Sequence, residues 1–331
     1  MTSLVQLRHD NLGRSVGLVR DRRLILLEGV ADVWSLAQLA LKDGAPLIEL
    51  AQRLAVGESL SYDSVLDGEP GCLLPPIDHP TEPARCLVTG TGLTHRASAD
   101  NRQAMHAAGE KPTDSMVMYQ WGVEGGQPSE GEIGVAPEWF YKGDGTILRA
   151  HRETLQLPEF AEDGGEESEI AGIYLIDGQG MPRRIGMAQG NEFSDHVCEK
   201  KNYLYLAASK LRQCAIGPEL ILDPDFSGVT GTARILRGAA TVWEKPIRSG
   251  ESNMCHSLRN IEHHHFKFSQ HRRPGDVHVH FFGASAFSFG DKFRLENGDV
   301  MEVAFEGFGR PLQNKLVHSE LPVALMHARG I

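Results

Sequence analysis

An α+β fold rich in β-structure is what this sequence predicts, and three observations carry that expectation. From Ile170 onward, short apolar runs are separated by glycine-bearing turns at Asp177-Gly178, Arg237-Gly238, Pro274-Gly275 and Asn297-Gly298, the pattern of paired strands. Helical spacing in that half is confined to about Glu199–Leu206 and Ser257–Phe268. No G-x-G-x-x-G follows a strand and no segment repeats, which disfavours nucleotide-binding and solenoid folds. A chain of 331 residues exceeds one small core, so a small N-terminal α+β domain (1–80) and a larger, mainly β domain (81–331) are expected.

The elements follow in order. Leu4–Leu7, Ser15–Val19 and Leu24–Leu27 are short apolar runs that read as an antiparallel meander. Val33, Leu36, Ala37 and Ala40 keep the i, i+3, i+4, i+7 spacing of a helix stopped at Asp43-Gly44. Leu47, Ile48, Leu50, Ala51 and Leu54 make a second helix, ending before Gly57. The breaker-rich stretch 68–80 reads as a linker. Arg85–Gly90 follows as a strand, then a helix over Ala97–Ala108 capped by Ser98 or Asp100. Gly122–Gly131 reads as a loop.

Composition excludes several function classes. The net charge is -11 and the pI near 5.7, so neither nucleic acid nor an anionic membrane is expected as partner. No run approaches a membrane span and the N-terminus lacks a signal-peptide core, so a cytoplasmic protein is expected. Cys72, Cys86, Cys198, Cys214 and Cys255 are odd in number and form no C-x-x-C pair, so they read as reduced thiols.

The chemistry concentrates on carboxylates. Glu167 and Glu169, separated by a single residue, point the same way from an extended backbone. Residues 162–167 read either as a solvated acidic loop or, since two like charges so placed call for a counterion, as part of an ion site, where all-oxygen ligands suit magnesium, manganese or calcium. Downstream, Ile185–Glu192 runs as a strand into a turn, where Glu192 would complete a three-carboxylate set with room left for substrate and water. Lys210, after Tyr203-Leu204-Tyr205-Leu206, would act as a base or hold a carboxylate. His263-His264-His265 and His278-Val279-His280 invite a transition-metal reading. Consecutive histidines on a helix diverge, however, and that reading is the weaker one.

In this order the motifs resemble the fumarylacetoacetate hydrolase superfamily. Glu167-Ser168-Glu169 matches its E-x-E, and Gly190-Asn191-Glu192 its Gly-Asn-acid turn. Lys210 with Gly217-Pro218, Arg273-Pro274-Gly275-Asp276-Val277, Glu296–Val303 and Glu306-Gly307-Phe308-Gly309 follow in the family's sequence. The resemblance spans about residues 85–316. It implies a mixed β-roll or β-sandwich catalytic domain, a homodimer, a magnesium or manganese ion on Glu167, Glu169 and Glu192, and a 2-oxo acid bound through carboxylate and keto oxygens.

Departures from the family pattern narrow the reaction. Hydrolytic members carry a histidine where Gly92-Leu93-Thr94-His95-Arg96-Ala97-Ser98 places Ser98, and a neutral serine is a poor base. His95, three residues earlier, is the candidate substitute. Thr94 before Ser98, and Cys214–Pro218 after the lysine, resemble the sugar-acid dehydratase branch, which converts 2-keto-3-deoxypentonates to 2,5-dioxopentanoate in pentose catabolism. Thr94, Ser98, Lys210 and Gly217 are the substrate-binding residues that this implies. Ser285 stands in for the threonine of the family's Gly-Thr-Pro, and Glu192 replaces the usual aspartate. The expected reaction is loss of water from a 2-keto-3-deoxy sugar acid, with Lys210 or a hydroxide at the ion taking the C3 proton. The alternatives are hydrolytic C–C cleavage of a 2,4-diketo-3-deoxy acid, with His95 as base, and a noncatalytic sugar-acid binder.

Overall fold

The structure is a computed structural model and describes residues 1–69, 71–106 and 112–331. Strands dominate, in two sheets. The larger begins with the N-terminal meander Ser3–His9, Gly13–Arg20 and Arg23–Leu26, paired antiparallel as the sequence predicts. Ser3 then pairs with Ile221, and the sheet continues through Pro182–Asn191, Ser168–Ile176, Val277–Phe281, Cys86–Gly90 and Phe140–Asp144. Residues before and after position 80 therefore share one hydrogen-bonded sheet. The smaller sheet runs Ala240–Ser249, Val229–Arg237, Val300–Phe305, Leu312–His318 and Leu155–Leu157.

The Ser168–Ile176 strand is buried along its whole length. Ala171, Ile173 and Leu175 join a cluster with Leu4, Leu36, Val88 and Val279. Ile170, of opposite parity, joins another with Met187, Phe282 and Val303. A strand covered on both faces explains the near-continuous apolar run. Each buried isoleucine or leucine here contributes about 1.5–3 kcal/mol, which makes this strand a rigid base for the acids at its start.

Both N-terminal helices form as expected. Val33–Asp43 is capped by Asp32, whose carboxylate accepts from Ser35 N, and closes at Gly44 with φ 64°; Leu47–Leu54 follows. Glu219, which is buried, is one of the links between the leading segment and the rest. It accepts from Ser3 Oγ at 2.5 Å, Tyr62 Oη at 3.0 Å and Arg310 N at 3.0 Å.

Four expectations need correction. The stretch 68–80 is more than a linker: Cys72–Leu74 pairs with Gln6–Arg8, while Pro70 lies outside the described residues. The next helix begins at Arg96, so Ser98 and Asp100 lie inside it and neither is its cap; Asp100 pairs with Arg96 one turn away at 2.9 Å. Its expected end, Ala107 and Ala108, lies outside the described residues. Asp114–Gly125 is a helix capped by Thr113 and absorbs the start of the expected Gly122–Gly131 loop. The Glu199–Leu206 segment breaks into helix His196–Lys201, a 3-10 turn Tyr203–Tyr205 and helix Leu206–Lys210. The break falls at Asn202, whose side chain accepts from Leu204 N and so competes with helix continuation.

Candidate active site

The first strand pair after the acidic loop builds the site. Ser168 faces Asn191 and Glu169 faces Gly190. Glu192 N donates to the Glu167 carbonyl at 2.9 Å, and Glu167 N donates to Asn191 Oδ1 at 3.2 Å. This lacing brings three carboxylates together from positions far apart in the chain. One oxygen each of Glu167, Glu169 and Glu192 lies within 4.8 Å of the others, all three side chains are buried, and no other such donor group occurs among the described residues.

The electrostatics fit a hard cation. Burial, then the neighbouring charges of Glu192 and Glu167, hold the Glu169 carboxyl well above the ordinary carboxylate range. The Gly283 N–H donates to its Oε2 at 2.7 Å. Oxygen donors under mutual repulsion and shielded from water suit magnesium, manganese or calcium.

Two lysines enter the same cluster. Lys210 Nζ donates to Glu167 Oε1 at 2.7 Å, Glu192 Oε2 at 2.5 Å and Ser194 Oγ at 3.0 Å, and lies 4.8 Å from the Phe140 ring centre. Lys142, absent from the sequence reading, is fully buried and reaches Glu192 Oε1 at 2.5 Å. A signal existed: Glu138, Phe140 and Lys142 are buried while Trp139 and Tyr141 between them are exposed, the period of two that turns alternate side chains to one face.

His196 was also missed. Its Nε2 is 3.0 Å from Glu167 Oε1, and its Nδ1 is 3.7 Å from Asp163, beyond hydrogen-bonding distance. The ring stacks on Phe287 and Phe289, each 5.0 Å away. Burial works against protonation here, but the Asp163 and Glu167 carboxylates outweigh it and push the group up to about 10. Glu166 is buried and accepts from Ser288 N at 2.5 Å and Ser288 Oγ at 2.7 Å, tying the loop that carries Phe287 to the start of the acidic strand. Glu138, hydrogen-bonded by Tyr203 Oη, packs so closely on Gly92 that a side chain there would collide with its carboxylate.

The other predicted residues are dispersed around this centre. Thr94 is buried; its hydroxyl donates to the Phe282 carbonyl at 2.7 Å, so it accepts from His95 Nδ1 at 2.9 Å. That fixes the Nδ1–H tautomer of His95 and leaves its Nε2 a lone-pair site without a hydrogen-bond partner. Burial lowers His95 to about 4. Ser98 is buried within the Arg96–His106 helix. Gly217 N donates to the Gln189 carbonyl at 2.9 Å, and Ser285 Oγ accepts from Arg248 N at 2.8 Å, so both are engaged in holding the main chain.

His265, His278 and His280 pack together as neutral rings, whereas His263 is exposed and His264 Nε2 meets the Gly134 carbonyl at 2.9 Å. Trp139 Nε1, a donor only, donates to His265 Nδ1 at 3.2 Å, and His265 Nε2 therefore donates to His278 Nδ1 at 2.9 Å. His280 sits between Thr89 and Thr91 hydroxyls, each at 2.7 Å. Burial lowers His278 and His280 from 6.5 to about 3. Below about pH 6.5 the unfolded chain then binds protons that the native one refuses. Stability is full above that pH and falls by about 1.4 kcal/mol per pH unit per histidine as pH drops toward the native value. Melting scans from about pH 7 to about pH 4 should show Tm falling steadily, with a shallower slope in His280→Asn; equal slopes would exclude this cause.

Comparison with solved structures identifies the fold. A 2-keto-3-deoxyarabinonate dehydratase superposes with a TM-score of 0.71 at 18% identity, covering 96% of this chain and 100% of that one. The 2-keto-3-deoxy-D-arabinonate dehydratase complexed with magnesium and 2,5-dioxopentanoate gives 0.70 at 17%, covering 96% and 99%. A 2-hydroxyhepta-2,4-diene-1,7-dioate isomerase from Mycobacterium marinum gives 0.60 at 14%, covering 97% and 100%. The chain shares the fold of these dehydratase and isomerase structures. No family model matches the sequence, and no curated protein matches it. No helix among the described residues is long and apolar enough to cross a membrane.

Proposed function

We propose that the protein is a magnesium-dependent dehydratase of 2-keto-3-deoxy sugar acids, yielding 2,5-dioxopentanoate from a 2-keto-3-deoxypentonate. The observation that carries this reading is the buried trio Glu167, Glu169 and Glu192 with a lysine among them. The solved dehydratase complex of the same fold, with magnesium and that product, supports it.

Glu167, Glu169 and Glu192 would hold the ion, which supplies Lewis acidity at the C2 ketone and so acidifies C3. The chain's own groups handle the protons. Lys210, in the neutral amine form reached by first giving up an ammonium proton to water, takes a proton from C3, and the C3–H electron pair becomes the C3–C4 double bond as the C4 hydroxyl leaves. That hydroxyl departs as water once it gains a proton; Glu138, buried beside the Gly92–His95 loop, is the carboxyl group assigned to give it. The resulting enone carries a C5 hydroxyl and tautomerises to the aldehyde, so the balance is one water lost. Phe287 and Phe289 around His196 exclude bulk water from the Glu167 side, which favours elimination over hydrolysis.

A panel of 2-keto-3-deoxy acids incubated with and without magnesium tests the proposal. Semialdehyde formation that depends on the ion is the expected outcome. Pyruvate release would instead establish C–C cleavage with His95 as base, for which its unpartnered Nε2 is the favouring observation. Thermal stabilisation by magnesium plus a 2-oxo acid, with no product at any enzyme loading, would mean a binder.

A further inference from the structure

Two buried lysines hold Glu192, and they hold it by different means. Lys142 Nζ donates to Glu192 Oε1 at 2.5 Å, to the Phe193 carbonyl at 2.6 Å and to the Lys210 carbonyl at 3.1 Å. An ammonium has three protons, and these acceptors use all of them. Two of the three are main-chain atoms in segments flanking the acidic turn and the lysine helix, and a main-chain carbonyl cannot turn away by a change of rotamer. Lys210 Nζ instead meets side-chain atoms, Glu167 Oε1, Glu192 Oε2 and Ser194 Oγ, each of which can reorient. Ser194 Oγ lies at 3.2 and 3.1 Å from the two Glu192 oxygens and can follow the carboxylate.

We propose that Lys142 is a positioning residue that permanently engages Glu192 Oε1, turning Oε2 toward Glu167 and Glu169, while Lys210 is the cation that yields its place among these oxygens to an incoming divalent ion. Lys142 also holds the Lys210 carbonyl and so fixes the point from which the Lys210 side chain swings. The longer glutamate in place of an aspartate gives the turn more rotational freedom, and the Lys142 anchor removes it. This assignment rests on the reading of the three glutamates as an ion site and is independent of which 2-oxo acid is consumed.

The test uses the full chain with Mn²⁺ alone as probe. Dissociation constants from electron paramagnetic resonance are compared for wild type, Lys142→Met and Lys210→Met, each shown to be folded by its melting curve. Lys142→Met should weaken Mn²⁺ binding by about tenfold or more, the usual loss when a group orienting a ligand is removed, while Lys210→Met should leave it unchanged or tighter. Uptake that neither substitution alters, or that both weaken equally, overturns the assignment alone; no uptake by wild type overturns the ion site with it. Should Lys142→Met not fold, ¹⁵N resonances of the buried lysine ammoniums in the wild type decide. On adding magnesium, the signal that Lys210→Met abolishes should move and the Lys142 signal should stay; the reverse overturns the assignment.

Discussion

Glu169→Gln is expected to abolish turnover and magnesium-dependent stabilisation together. Gln keeps the shape of the side chain and can still accept the Gly283 N–H, but removes one of three negative charges. An ion present at 100 times its Kd adds about 2.7 kcal/mol to folding stability, several degrees in Tm for a chain this size; that increment should vanish. The loss in kcat should reach at least about 10² to 10³, because Lewis-acid stabilisation of developing charge is worth several kcal/mol. Without added ion the variant should melt no lower than wild type. The Glu169 carboxyl is held above its ordinary range, so its ionisation costs stability as pH rises through the native value, and a neutral amide escapes that cost. Full activity, or an undiminished magnesium increment, would remove Glu169 from the donor set.

Lys210→Met carries the second largest effect. A positioned proton-transfer group typically contributes about 10² to 10⁴ in rate, and kcat should fall by that order while KM changes little. Removing one member of a buried ion cluster leaves its carboxylates less compensated, a cost of about 3–5 kcal/mol in comparable cases. Divalent ion restores positive charge to the same oxygens, so the magnesium-induced rise in Tm should be larger in this variant than in wild type. Unchanged kcat would exclude Lys210 as the base; kinetics on the substrate identified by the panel assay would show it.

Much of this site was legible because strand geometry is periodic. Glu167 and Glu169 are two residues apart, and that spacing alone turns both to one face. Glu192 and Lys210 were readable from the motif order, although each contact between them crosses a strand or a turn. His196 could not be read in this way: its partner Glu167 is brought near by the Gly165–Ser194 bridge, a pairing that leaves no mark on composition. Lys142 was legible in principle as a charged residue on the apolar side of an alternating segment, yet a lone lysine beside Gly143 and Asp144 reads as solvated surface. The helix at Arg96 was misread because Ser98 and Asp100 are good capping residues by type. Leu93 at φ 55° instead turns the chain sharply and starts the helix early.

The paired grip of Glu166 on Ser288 has a bearing on engineering. The aromatic wall over His196 and the acid-bearing strand are riveted beside the ion-ligand pair, so the 283–290 segment is not an interchangeable selectivity module. Grafting that segment from a relative with different tastes should scramble the donor set unless position 166 is transplanted too. Retargeting this scaffold to other acids would therefore mean redesigning position 166 and the 283–290 segment as one unit.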